Sequence, residues 1–314
     1  MLSRTADNLF WLARYVERAE NLARIVQVGH RMASLVRSLG SSGNEWLSTL
    51  VAAGCETGFF NKYAEARAAD VLDYLLRDPE NPSSIFSCLE TARGNARAVR
   101  TALTADMWES LNGMCLGCRE EVREAVTTDR LAPFLEWVRE RSQLFNGAYA
   151  TTMLRNDAFY FTRLGTFVER ADCTARLLDV KYHMLLPQDE GVGGALDYYQ
   201  WQTILRSVSA LRSYHWIYHQ RLQPWLIAEL LILRPEMPRS LVACFDQITT
   251  QLDLLAESYA GKRGECHRIA GEMLARLRYG RIQDIFQAGL HEFLTAFIDR
   301  SMLLGNEIVA LYLT

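Results

Sequence analysis

Two nine-residue phrases concentrate the charged side chains of this chain: VERAENLAR, Val16 to Arg24, and VERADCTAR, Val168 to Arg176. On a helix turning 100° per residue, Glu17, Glu20 and Arg24 fall on one stripe, and Glu169, Asp172 and Arg176 fall on its counterpart. Asn21 and Gln27 flank the first stripe, while Tyr15, Ala19, Leu22 and Val26 lie opposite. Arg18 and Arg170 sit about 100° from the acids, toward the apolar flank. An arginine in that position needs a carboxylate partner, because an unpaired buried charge is costly. The acid of the other phrase is the natural candidate, with Glu17 meeting Arg170 or Arg176 and Glu169 meeting Arg18 or Arg24. The small pairs Ala19/Ala23 and Ala171/Ala175 would let such helices approach. Two other uses stay open: a solvated face held by pairs worth a few tenths of a kcal/mol, and a site for a ligand or partner.

Other constellations carry less. Paired acids on helices suggest a carboxylate-bridged metal bundle, but that architecture requires Glu-x-x-His motifs, and the chain has none. His215 and His219 stand four apart in SYHWIYH without the Glu of an HExxH site; with Tyr214 they mark a second candidate pocket. Half-exposed structural histidines are the plainer reading there, and no metal or cofactor is expected. Cys115 and Cys118 form one CxxC without a second pair, which reads as helix packing. Cys173 aligns with Asn21 and has no histidine implied beside it, so it reads as filler. Phosphate-cradling GxxxxGK[ST] and GxGxxG motifs and the GxSxG elbow are absent. Trp11, Trp46, Trp108, Trp201 and Trp216 either line a cavity or fill a core.

The elements that would position these groups are helices. Seven prolines in 314 residues, 49% hydrophobic content and long runs with helical spacing predict an all-α chain. Ser3 is placed to cap the first helix; LGSSGN at 39–44 and QDEGVGG at 188–194 break the chain after each phrase. The order of features repeats: Glu169 minus Glu17 is 152, Trp201 minus Trp46 is 155, and Pro235 minus Pro79, like Cys244 minus Cys88, is 156. DPENPSS at 78 and RPEMPRS at 234 are the corresponding turns. Two copies of about 150 residues describe a duplicated multi-helix unit, not a solenoid of 20- to 50-residue repeats. The expectation is one large helical bundle over 1–314, built from halves of about 1–155 and 156–314.

A net charge of -3 offers no general basic field, which argues against nucleic acid. The longest apolar run, Leu226 to Leu233, is interrupted by Glu229 and falls short of the ~20 residues of a membrane span. With no signal-peptide pattern and seven scattered cysteines, the chain reads as soluble, cytoplasmic and reduced.

The stretches MLSRTADNLFWLARYVERAENLAR, DMWESLN at 106, FTRLGTFVERADCTARLLDV at 161 and RPEMPRS together resemble the bacterial Alpha-E family, helical proteins named for their ER motif. The resemblance runs end to end and places the motif at Glu17, Arg18, Glu169 and Arg170. Where that family carries a Tyr-Arg-Arg-like cluster, this chain has Tyr214, His215 and Trp216, without the arginines on which an anionic-ligand role would rest. The resemblance implies no established catalytic activity. It implies association with circularly permuted ATP-grasp proteins and transglutaminase-like peptidases, and so a scaffold or regulatory role in peptide or amide-bond synthesis. An enzyme using a cavity lined by the ER residues and a homo-oligomeric module are the alternatives.

Overall fold

The computed structural model describes residues 1–38, 45–124, 126–183 and 194–313. Among these, 80% are helical and no strand forms. The first-half helices are α1 (Ser3–Ser38), α2 (Glu45–Ala53), α3 (Glu56–Phe60), α4 (Ala68–Leu76), α5 (Ile85–Ala98), α6 (Ala105–Glu121) and α7 (Thr128–Thr152). Those of the second are α8 (Asp157–His183), α9 (Ala195–Ser207), α10 (Leu211–Tyr218), α11 (Pro224–Ile232), α12 (Leu241–Ser258), α13 (Glu265–Tyr279), α14 (Ile282–Ala288) and α15 (Leu290–Ile308).

The two proline-bounded turns act alike. Ser84 Oγ accepts from Ser87 N–H at 3.1 Å to cap α5, and Ser240 Oγ accepts from Ala243 N–H at 3.1 Å to cap α12. Each satisfies an N–H that the first turn of a helix leaves without a partner. The first helix starts differently from expectation: Leu2 C=O accepts from Thr5 and Ala6, so Ser3 lies inside the first turn, not at the cap. The expected breaks at 39–44 and 188–193 lie outside the described residues, and Gly194 stands at the N-cap of α9.

α1 and α8 form the centre. They pack on each other along their length; α1 also touches α2, α5, α7 and α9, while α8 touches α12 and α15. α1 is buried on nearly every side from Ala6 to Ala33, which removes the solvated-face reading of its charged stripe: Glu17 and Glu20 are each 1% exposed. One apolar cluster draws on both halves, uniting Leu9, Phe10 and Leu12 of α1 with Phe161 and Leu164 of α8 and Phe245 of α12. A second, including Ala19, Leu22, Leu75 and Leu135, lies within the first half.

Close approach of the central pair comes at Gly165, where a Cβ would lie 2.3 Å from Phe10 O and 3.3 Å from Ala13 Cβ. The alanine pairs do not form this seam. Ala19 and Ala23 join the first-half cluster, and Ala171 and Ala175 join the larger one. The reason is angular: Ala19 lies about 200° from Glu17, on the far side of the helix from the stripe that faces α8.

Candidate functional site

The charged stripes meet at the α1–α8 seam as reciprocal forks. Arg170 donates to Glu17 from Nε at 2.9 Å and Nη2 at 2.8 Å, and Arg18 donates to Glu169 from Nε at 2.5 Å and Nη2 at 3.0 Å. Bidentate guanidinium–carboxylate geometry is the strong form of this contact. Arg24 and Arg176 do not cross: Arg24 holds Glu20 of its own helix, and Arg176 Nε donates to Asp172 at 2.7 Å. Asn21 ties the helices further, its Nδ2 donating to Glu169 C=O at 3.4 Å.

Two arginines outside the phrases complete the network. Arg239, in the turn before α12, donates to Glu17 Oε1 at 3.2 Å, to Asn21 Oδ1 at 3.3 Å and to Glu20 Oε1 at 2.6 Å. The loop carrying it is pinned by Thr174 Oγ1, which donates to Arg239 C=O at 2.8 Å. Arg14 Nε donates to Glu169 Oε2 at 2.8 Å. Arg24 also donates to Ser207 C=O at the end of α9.

Burial by itself would raise the carboxylate pKa of Glu17, but Arg170 and Arg239 more than offset it and hold it at about 2. The same balance, with Arg18 and Arg14 as the cations, holds Glu169 at about 2. Burial works against the charged forms of Arg18 and Arg170 too, yet their glutamate partners push both upward. Arg24 is lowered, mainly by burial and then by Arg239.

This ER geometry agrees with comparison to known sequences. The model of the Alpha-E family, described as a predicted alpha-helical domain with a conserved ER motif, matches residues 1–313. The chain belongs to the Alpha-E family. Relatives of this Alpha-E chain include Uncharacterized protein Mb2597 of Mycobacterium bovis and Uncharacterized protein MT2643 of Mycobacterium tuberculosis, each 25% identical over 311 residues. Uncharacterized protein Rv2567 of M. tuberculosis is 24% identical over the same length. The match covers 90% of the Alpha-E chain and 33% of each relative, so the chain spans about a third of the length of these curated relatives. No solved structure matches.

Beside the Glu169 fork lies a cavity of about 260 Å³, bounded by α1, the end of α2, the first proline turn, α8 and α15. Arg18, Glu169, Asp172 and Arg176 of the phrases line it, and so do Arg14, Asn21, Cys173 and Ser83. Glu17, Glu20, Arg24 and Arg170 do not. Arg170, at the other end, borders a separate cavity of about 470 Å³ with Pro235 and Pro238, so the two ends of the ER motif of this Alpha-E protein differ in which of their side chains are enclosed.

The second candidate pocket does not form. Tyr214 is fully buried, donating to Arg221 C=O at 2.8 Å and accepting from Gln223 N–H at 3.0 Å. His215 and His219 are exposed, not half-exposed, and α10 ends at Tyr218 with His219 at a φ of 51°. The i, i+4 helix face on which a metal would sit is therefore absent. Among the described residues, no group of three His, Cys, Asp or Glu side chains is arranged to hold a metal ion. Trp216 is 81% exposed rather than core or cavity lining of the ER site.

Cys115 and Cys118 are buried on α6, and burial pushes both thiols up to about 12. Cys173 is buried and raised for the same reason, unsuited to nucleophilic work. Arg239 and Arg14 are the network residues that the phrase pattern did not single out. A signal for Arg239 was present: in the aligned turns DPENPSS and RPEMPRS, Ser83 of the first copy faces Arg239 of the second.

Proposed function

We propose that this protein is a non-catalytic helical partner that positions or regulates an ATP-grasp-type ligase in peptide or amide-bond synthesis. One observation carries the non-catalytic part: the ER glutamates are saturated by arginines and held at about 2. A general base works best with a pKa near the operating pH, and a carboxylate fixed that low is a weak one. The motif then acts as a brace that makes the two central helices one rigid platform. The association with a circularly permuted ATP-grasp protein comes from the family resemblance. Exposed aromatic side chains, Trp216 at 81%, Tyr279 at 85% and Trp225 at 47%, supply surface of the kind that partners cover. A transglutaminase-like peptidase is a further partner on the same reading, and the protein works where those enzymes do, in the cytoplasm.

The test is co-expression with a circularly permuted ATP-grasp protein of the same genome, followed by size-exclusion chromatography and ligase assay. Co-elution with altered ligase activity is expected. Separate elution together with unaffected ligase activity would overturn the reading.

A second reading, an enzyme of the same pathway, is favoured by the cavity at Glu169. It requires Glu169→Gln to abolish turnover at nearly unchanged thermal stability; loss of stability in that variant supports the brace instead.

A further inference from the structure

The space beside the Glu169 fork has a filled counterpart. At the Glu17 end the corresponding turn residue is Arg239, and its guanidinium occupies the gap between Glu17, Glu20 and Asn21. At the Glu169 end the aligned residue is Ser83, with a side chain too short to reach, and the cavity of about 260 Å³ stands there. At about 260 Å³ it lies just below the ~300–1,000 Å³ typical of drug-sized ligand pockets, which suits a ligand of amino-acid size rather than a nucleotide.

The lining decides the sign of an occupant. Three guanidinium groups, on Arg14, Arg18 and Arg176, face two carboxylates, on Glu169 and Asp172, leaving one positive charge in excess. The protein acceptors engage Arg14 Nε, Arg18 Nε and Nη2, and Arg176 Nε. The remaining Nη groups of Arg14, Arg18 and Arg176 have no protein acceptor among the described residues, and all three side chains stay 16–27% exposed. The other walls, Leu22, Ile25, Ala53 and Met302, are apolar.

We infer that this cavity binds a small organic carboxylate of amino-acid size, its carboxylate held by the free Nη groups of Arg14, Arg18 and Arg176 and its aliphatic part against Leu22, Ile25 and Met302. A planar carboxylate matches guanidinium forks and neutralises the single excess charge. A dianion such as phosphate would set its second charge against Glu169 and Asp172, and an organic cation would meet a lining whose net charge is positive. The inference does not depend on a ligase partner, because the isolated chain is enough to test it.

Isothermal titration calorimetry of the purified chain with valerate is expected to show saturable binding at one site, with n-pentylamine and inorganic phosphate binding far more weakly. Ser83→Glu introduces a negative charge at the rim without touching a brace pair, and should weaken valerate at least ~10-fold. Should Ser83→Glu fail to fold by circular dichroism, Met302→Glu places the same charge on the opposite, solvent-exposed rim, since Met302 is 59% exposed. Absence of saturable valerate binding, equal or tighter binding of phosphate or pentylamine, or valerate binding unchanged in the folded variants would each overturn the inference.

Discussion

The two ends of the ER brace differ in where their second cation comes from. At Glu17, Arg170 crosses from α8 and Arg239 closes the gap from the turn before α12. At Glu169, Arg18 crosses from α1 and Arg14 joins it from one turn earlier on the same helix, leaving the turn residue Ser83 short and the cavity open. Both glutamates end with three N–H donors from two guanidinium groups and a pKa of about 2. Equal charge balance at unequal packing teaches that pairing and enclosure are separable: duplicated helices keep the crossing pairs, while the turn residue decides whether the gap beside the glutamate is filled by a guanidinium or left open.

The largest effect expected from this asymmetry is that of Glu17→Gln. It leaves Arg170, 15% exposed, without its carboxylate and Arg239, 11% exposed, with Glu20 alone, and should destabilise the fold by about 3–5 kcal/mol in a denaturant titration. Glu169→Gln should cost less, because Arg14 and Arg18, at 16% and 27%, reach water more readily. Equal losses would break the distinction between the ends.

Acid tests both ends together. Each glutamate is depressed from 4.5 to about 2, so the unfolded chain binds the proton first as pH falls. Their stabilisation is fully present above pH 4.5 and is lost as the pH falls to 2 and below, on the order of 3 kcal/mol from each. Denaturation midpoints measured through this window should fall continuously, and Glu17→Gln should remove part of the slope.

Arg239→Ser turns the packed end into a copy of the open one. A loss of about 2–3 kcal/mol is expected by thermal and chemical denaturation, from a cavity and a weakened hold on Glu17 and Glu20. A crystal structure of the variant should show a second cavity beside Glu17, and its absence would mean that the turn collapses instead. At the small end, His215→Ala with His219→Ala should change stability by less than about 0.5 kcal/mol, since both rings are exposed and outside the brace. A larger loss would give the second candidate pocket a role that its geometry does not suggest.

Much of this was readable before any fold was known. The all-α class followed from helical spacing and few prolines, and the membership of the chain in the Alpha-E family agrees with the doubled ER phrase. The crossings Glu17–Arg170 and Glu169–Arg18 were legible because an arginine turned toward an apolar flank requires an acid, and the other copy offered one. The rest was harder for definite reasons. Arg24 and Arg176 find acids four residues back on their own helices, so a crossing partner was never required of them. Arg14 sits one turn before the motif and was indistinguishable from a solvated residue. The alanine pairs looked like a seam, but helical angle sends them elsewhere, and Gly165, without a Cβ, takes that place against Phe10.

What the sequence alone determined is the all-helical class and the short list of arginines, Arg170 or Arg176 for Glu17 and Arg18 or Arg24 for Glu169, from which the crossing pairs are drawn, since 3.6-residue periodicity and the cost of unpaired charge are local rules. Only the tertiary structure decided that α1 is buried on nearly every side, that Arg239 reaches Glu17 from 222 positions away, and that Ser83 leaves a cavity where Arg239 fills one. Those outcomes depend on how distant segments converge in space, and no spacing along the chain encodes the distance between a turn and a helix that it has yet to meet.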